Sequence, residues 1–84
     1  MENIRKFIIN YVEKKGKLPN DADLEAFDFV KSGHIDSMAL FKFVVDIEAE
    51  FDIEISDEEM ISSEFRTIGG LVSIISDKAK NRKP

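Results

Sequence analysis

Cysteine is absent from the 84 residues, which removes disulfides, thiolate metal sites and a cysteine nucleophile together. Any thiol chemistry would have to come from an attached group. No apolar run approaches the ~20 residues that cross a bilayer, and no secretory pattern opens the chain. The expectation is therefore a cytoplasmic protein with no stable membrane insertion. Histidine occurs once, as His34, and no glycine-rich phosphate loop, internal repeat or low-complexity segment is present. A chain this short holds one small domain, 1–84, with no room for a second core.

Basic residues are also missing from one long stretch. Between Phe43 and Phe65 there is no Lys or Arg, whereas Asp46, Glu48, Glu50, Asp52, Glu54, Asp57, Glu58, Glu59 and Glu64 all fall there. Bases gather at the start (Arg5, Lys6, Lys14, Lys15, Lys17) and in the tail (Lys78, Lys80, Arg82, Lys83), within a net charge of −5. An acidic central face argues against nucleic acid and favours basic protein partners, steered by long-range attraction.

Helical periodicity dominates what is present. Ile4, Phe7, Ile8, Tyr11 and Val12 form one stripe, predicting a first helix over about 3–15 that Gly16 ends, with Lys14 and Lys15 against its dipole. The segment 21–32 is a long connection, with a single helical turn possible over 23–27. Leu24, Phe27, Phe29 and Val30 are expected to pin it to the core. A second helix, about 36–51, carries a core stripe of Leu40, Phe43, Val44, Ile47 and Phe51. Met38, Phe41 and Val45 lie on a neighbouring face, either widening the buried stripe or forming an apolar patch.

Residues 51–55 alternate apolar and polar, but no second strand offers itself as a partner. They are expected to be an extended connector turning Ile53 and Ile55 inward. Ser56-Asp57-Glu58-Glu59 has the form of a capping box, opening a short helix to about Ser62. Thr67 then caps a last helix whose inward face is Ile68, Leu71, Val72 and Ile75. Gly69-Gly70 either weakens its first turn or admits another helix. Past Lys78 the pattern is lost and fraying is expected, leaving an ordered core of about 3–77.

The stretch Gly33-His34-Ile35-Asp36-Ser37-Met38 is a polar turn entering the second helix. Asp36 is a credible N-cap, which leaves the Ser37 hydroxyl pointing outward at the positive end of a helix dipole. A phosphate ester is favoured there. Together with Phe29-Val30 before it, and Phe51-Asp52-Ile53-Glu54-Ile55 and Asp57-Glu58-Glu59 after it, this stretch resembles the prosthetic-group attachment site of acyl carrier proteins. The resemblance spans about residues 3–77.

That resemblance implies an all-α fold, a small bundle of three longer helices plus one short helix. It implies that Ser37 receives 4′-phosphopantetheine from coenzyme A through a magnesium-dependent phosphopantetheinyl transferase, with Asp36 completing the motif. The chain would then be a carrier and not an enzyme, presenting an acyl or aminoacyl thioester as a monomer. Its partners would be an activating ligase and downstream transferases. Met38, Phe41, Val45, Asp46, Glu48, Asp57 and Glu58 become partner-docking candidates. Phe29, Phe43, Ile47, Ile55 and Leu71 become candidates for an acyl pocket.

Some positions depart from the family's fatty-acid-synthesis members. Those commonly have Leu directly after the serine and acids two and five residues beyond it, where this chain has Met38, Ala39 and Lys42. Gly33 lies four residues before Ser37 rather than three. The run Glu58-Glu59…Glu64-Phe65-x-Thr67-Ile68 is similar to stand-alone carriers served by AMP-forming ligases, the D-alanyl carriers of cell-envelope modification included. A dedicated lipid or natural-product pathway is thereby favoured over housekeeping fatty-acid synthesis.

Other chemistries have weaker support. A Ser37–His34 dyad, with Asp36 as third member, requires convergent side chains, whereas neighbours on a turn entering a helix diverge. His34 is expected instead to be a solvent-exposed loop residue. Asp46-x-Glu48-x-Glu50 and Asp21-x-Asp23-x-Glu25 echo a calcium loop but lack its Gly and its final Glu, so no metal site is assigned. A helical interaction module, in which Asp36 merely caps, is the remaining alternative.

Overall fold

The computed structural model describes residues 2–19 and 24–81. The first helix, α1, spans Glu2–Glu13, and Ile4, Ile8 and Val12 of its apolar stripe are buried as the spacing predicts. Phe7 and Tyr11, half-buried, reach sideways to the second helix, α2, at Ser37–Phe51. Phe7 meets Phe51 edge-on at 5.3 Å between centroids, and Tyr11 stacks on Phe43 at 4.2 Å. Helix α1 closes at Glu13, so Lys14 and Lys15 follow its last turn instead of occupying it.

The connection before α2 is strapped down by its backbone. Phe29 N donates to Arg66 O at 3.0 Å, Ile68 N to Phe27 O at 3.3 Å and Gly69 N to Glu25 O at 2.9 Å. Arg5 of α1 pairs with Glu25 from the other side. Leu24 and Phe29 are buried and Phe27 and Val30 half-buried, so the expected four residues do hold the loop. Phe27 N closes a turn on Leu24 O at 3.2 Å. The remainder of the turn expected from Asp23 lies outside the described residues.

After α2, Asp52 takes a left-handed conformation, φ 54°, which Asp tolerates better than most residues. The extended connector then buries Ile53, while Ile55 is only half-buried. The capping box forms as predicted: Glu59 N donates to Ser56 Oγ at 3.1 Å and Ser56 N to Glu59 Oε1 at 2.9 Å. The helix it starts, α3, is Asp57–Met60, shorter than expected. A 3-10 turn at Ser63–Arg66 follows, which the sequence pattern did not indicate, and its Phe65 is fully buried. Helix α4, Ile68–Asn81, packs its Ile68, Leu71, Val72 and Ile75 face against α1 and this turn.

Helix α4 also runs past Lys78, where fraying was expected, as far as Asn81. Lys78 Nζ bonds Glu59 Oε1 at 2.8 Å and fastens this end of the helix to α3. The observed fold is thus, among the described residues, the expected all-α bundle of three longer helices and a short one. Among the described residues it has no strands, only an isolated bridge between Asp28 and Thr67. No helix there is long and apolar enough to cross a membrane.

The Glu59 contacts carry a pH dependence. Partial burial pushes its carboxyl up, but the bonds from Lys78 and Ser56 outweigh this and hold it below its ordinary 4.5. A carboxyl depressed in the folded state stabilises the fold above its unfolded value and loses that contribution as pH falls through the folded value. Glu59→Gln should therefore be less stable than wild type at about pH 7, with the gap narrowing by about pH 3. Urea unfolding at the two pH values checks this, and an equal gap at both would refute it.

Candidate functional site

The loop before α2 is built from short-range bonds that leave little slack. Asp28 Oδ1 accepts from Val30 N at 3.0 Å and from Lys31 N at 2.7 Å, folding the chain back on itself. Gly33 follows at φ 90°, a conformation that strains any side chain. Ile35 N then returns to Phe29 O at 2.9 Å, and the Ile35 side chain is fully buried. The residue just before the Asp-Ser pair is thus a core anchor. It escaped notice because a lone apolar residue in a polar turn shows no periodicity.

Asp36 leaves this anchor in extended conformation and caps α2, its Oδ1 accepting from Ala39 N at 2.8 Å. With that work done by Asp36, Ser37 is exposed as the first helical residue. Its hydroxyl has no hydrogen-bond partner among the described residues. The free N–H groups of the first turn surround it with partial positive charge.

Residues 7–75 match the family model described as phosphopantetheine attachment site. The acyl carrier protein homolog of Mycoplasmopsis pulmonis is 35% identical over 77 residues, covering 92% of this chain and 97% of that protein. The acyl carrier protein of Streptococcus pneumoniae is 36% identical over 70 residues, covering 82% of this chain and 85% of its own length. That of Streptococcus thermophilus matches to the same extent. The chain belongs to the acyl carrier protein family. No solved structure matches it.

Members of this family are carriers rather than enzymes, and their prosthetic group is a covalent 4′-phosphopantetheine. The residues here fit such a group. An exposed hydroxyl without a partner, at a helix N-terminus whose cap is already satisfied, can accept a phosphodiester without breaking any contact.

The docking candidates divide into two sets. Met38, Phe41 and Val45 are 81, 60 and 60% exposed, so they form an apolar patch on α2 and do not widen the core. Ile61, 71% exposed at the end of α3, is a further exposed apolar residue that sequence reasoning missed, being isolated among polar neighbours. Asp57 and Glu58 stand exposed in the first turn of α3. Asp46 and Glu48, by contrast, have internal work. Glu48 Oε2 accepts from Ile55 N at 2.8 Å and holds the connector to α2.

Asp46 accepts from Tyr11 Oη at 2.7 Å and from Lys42 Nζ at 3.2 Å. The Tyr11 bond, with that of Lys42, holds its carboxyl below the usual range. Burial, then the Asp46 bond and charge, push the Tyr11 phenol up to about 12.

Four of the five pocket candidates, Phe29, Phe43, Ile47 and Leu71, are fully buried, with the Phe29 and Phe43 rings edge-to-face at 5.8 Å. Ile55 instead lines a surface groove of about 480 Å³ with Glu48, Ile53, Glu54, Ser56 and Lys78.

His34 is not the exposed loop residue expected. It is half-buried, edge-on to Phe27 at 5.1 Å, with Nε2 2.9 Å from Lys17 O and Nδ1 2.7 Å from Ser32 Oγ. Both ring nitrogens are engaged away from Ser37, which leaves neither to serve as its base.

Because Phe41 does not fill the core, Phe41→Asp should leave circular dichroism and stability close to wild type, within about 0.5 kcal/mol. The same change should weaken recognition by a phosphopantetheinyl transferase, seen as a raised KM. An unfolded Phe41→Asp protein would show that this side chain is structural.

Proposed function

We propose that Ser37 is the attachment residue and that the chain carries an acyl thioester to enzymes of a dedicated pathway. The observation that carries this is the exposed, unpartnered Ser37 hydroxyl at the start of a helix capped by Asp36. Ser37 Oγ acts as a substrate nucleophile for a separate magnesium-dependent transferase. The Oγ–phosphorus bond forms, the phosphoanhydride bond of coenzyme A breaks, adenosine 3′,5′-bisphosphate leaves, and the serine proton passes to the transferase. Once attached, the group supplies the thiol that a cysteine-free chain lacks. Its tether raises the effective concentration of one cargo at several active sites in turn.

An acyl cargo is favoured over an aminoacyl one because the named relatives are acyl carriers. Met38, Phe41 and Val45 would seat the transferase, an activating ligase or a downstream transferase. The reading is of a single-domain, monomeric, cytoplasmic carrier. Incubation with coenzyme A, magnesium and a broad-specificity transferase should add one phosphopantetheine by intact mass. No addition with several transferases would remove this reading.

The pathway rests on charge near the serine. Lys42 and Ala39 stand where fatty-acid-synthesis carriers offer acids, and Lys42 further offsets Asp46 through their 3.2 Å contact. Exposed pairs contribute only ~0–1 kcal/mol each, yet like charges at a docking site discriminate against wrong partners. The loaded wild type should be a poor substrate for fatty-acid-elongation enzymes, and Ala39→Asp, Lys42→Glu should improve it at low salt. Malonyl-transfer rates measure this against a housekeeping carrier, and equal rates for wild type and that carrier at low and high salt would restore the fatty-acid role.

A further inference from the structure

We propose that His34 is a positioning residue, a latch that fixes the serine-bearing loop to the turn after α1 and so sets how well Ser37 is presented for modification. This rests on Ser37 being the attachment residue. The Lys17 carbonyl can only accept, so Nε2 carries a proton and donates across 17 residues of sequence at 2.9 Å. On the neutral ring, Nδ1 then accepts from the Ser32 hydroxyl at 2.7 Å, and Ser32 Oγ in turn takes the His34 N–H at 3.3 Å. The Phe27 ring, nearly perpendicular with its centroid 5.1 Å away, closes a third side of the imidazole.

Gly16 supplies the fourth side. A Cβ built there would lie 3.0 Å from His34 Nε2 and 3.2 Å from Cδ2, so the bare backbone is what lets the ring come down onto Lys17. Gly16 lies three residues beyond the end of α1 at Glu13, so its use is this close approach and not, as expected, ending the helix. Only Ile35 and Asp36 separate His34 from Ser37, and Ile35 is the buried anchor. The ring thus sits at the head of a short, already bonded segment that leads into Ser37, so losing its contacts loosens the placement of the serine. Reaction rates respond steeply to placement, since an error of about 1 Å at a reacting group can cost on the order of a hundredfold.

The test is a double-mutant cycle on loading kinetics, run well below each variant's melting temperature so that all are folded. His34→Ala and Gly16→Ala should each lower kcat/KM for transferase-catalysed loading, His34→Ala on the order of tenfold. Gly16→Ala should cost nothing further in the His34→Ala background, because its Cβ then meets no ring. His34→Gln, whose amide can donate to Lys17 O and accept from Ser32, should recover most of the rate. Amide exchange at Gly33 and Ile35 should speed up in His34→Ala.

Unchanged loading in His34→Ala, additive effects in the double variant, or no recovery by His34→Gln would each overturn the proposal. If the wild type is not loaded at all, the attachment reading fails by itself. Amide exchange then decides the latch: faster exchange at Gly33 and Ile35 in His34→Ala supports it, and unchanged exchange overturns it.

Discussion

Ser37→Ala should take up no phosphopantetheine at all while folding as stably as wild type. The hydroxyl is exposed and makes no hydrogen bond among the described residues, so removing it breaks no contact. Alanine is also the better helix former at the first position of α2, and the stability change should stay within about 0.5 kcal/mol. Asp36→Ala is the instructive contrast. It removes the 2.8 Å bond to Ala39 N and should cost about 1 kcal/mol as a lost cap. It should slow loading without abolishing it, because Ser37 stays in place at a looser helix end. Intact-mass time courses beside thermal melts distinguish the two. Continued addition to Ser37→Ala would move the attachment to another hydroxyl, and peptide mapping would find it.

Periodicity made the helices legible. Ile4, Ile8 and Val12 on α1 and Ile68, Leu71, Val72 and Ile75 on α4 repeat at helical spacing, and all are buried. The α2 stripe was read a little too generously. Phe43, Val44 and Ile47 are buried, but Leu40 and Phe51 sit at the edge of the core and are half-exposed. Ser56–Glu59 was legible for a local reason, since a capping box is satisfied within four residues. The serine stood out on the same grounds, because Asp36 caps its own helix.

What escaped the sequence depends on contacts that no local pattern shows. Ile35 and Phe65 are fully buried, yet each is a lone apolar residue among polar ones. His34 looked exposed until the Lys17 carbonyl, 17 positions away, was seen to hold it. Glu48, a docking candidate by pattern, also accepts from the Ile55 amide, a bond that the pattern did not show. For His34 and Glu48 one partner outside the local pattern engages the side chain, and for Ile35 and Phe65 it is the packed core.

Gly70→Ala should destabilise the protein severely, against what helix propensity alone would say. Gly70 lies in the first turn of α4, and an exposed helical glycine replaced by alanine gains up to ~1 kcal/mol. Here a Cβ would run into the Glu64 carbonyl oxygen, and would come within 2.9 Å of its carbon and 2.7 Å of Thr67 Oγ1. Real Cβ atoms do not approach backbone so closely, and neither neighbour is the loose end of a long side chain. Glu64 belongs to the 3-10 turn that buries Phe65, and Thr67 Oγ1 accepts from Gly70 N at 3.1 Å. Relieving the clash therefore shifts a core phenylalanine or breaks the cap of α4. Overpacking against backbone costs about 3 kcal/mol or more at the upper end of its range, several times the propensity gain. That is a large share of the stability of so small a domain. Gly69→Ala should be milder, since its Cβ would meet Glu25, whose carboxylate at 3.1 Å can swing away although the carbonyl at 2.9 Å cannot. Urea unfolding of both variants gives the ranking. A Gly70→Ala protein as stable as wild type would mean that the 3-10 turn yields freely, and that this packing does not hold α4 in place.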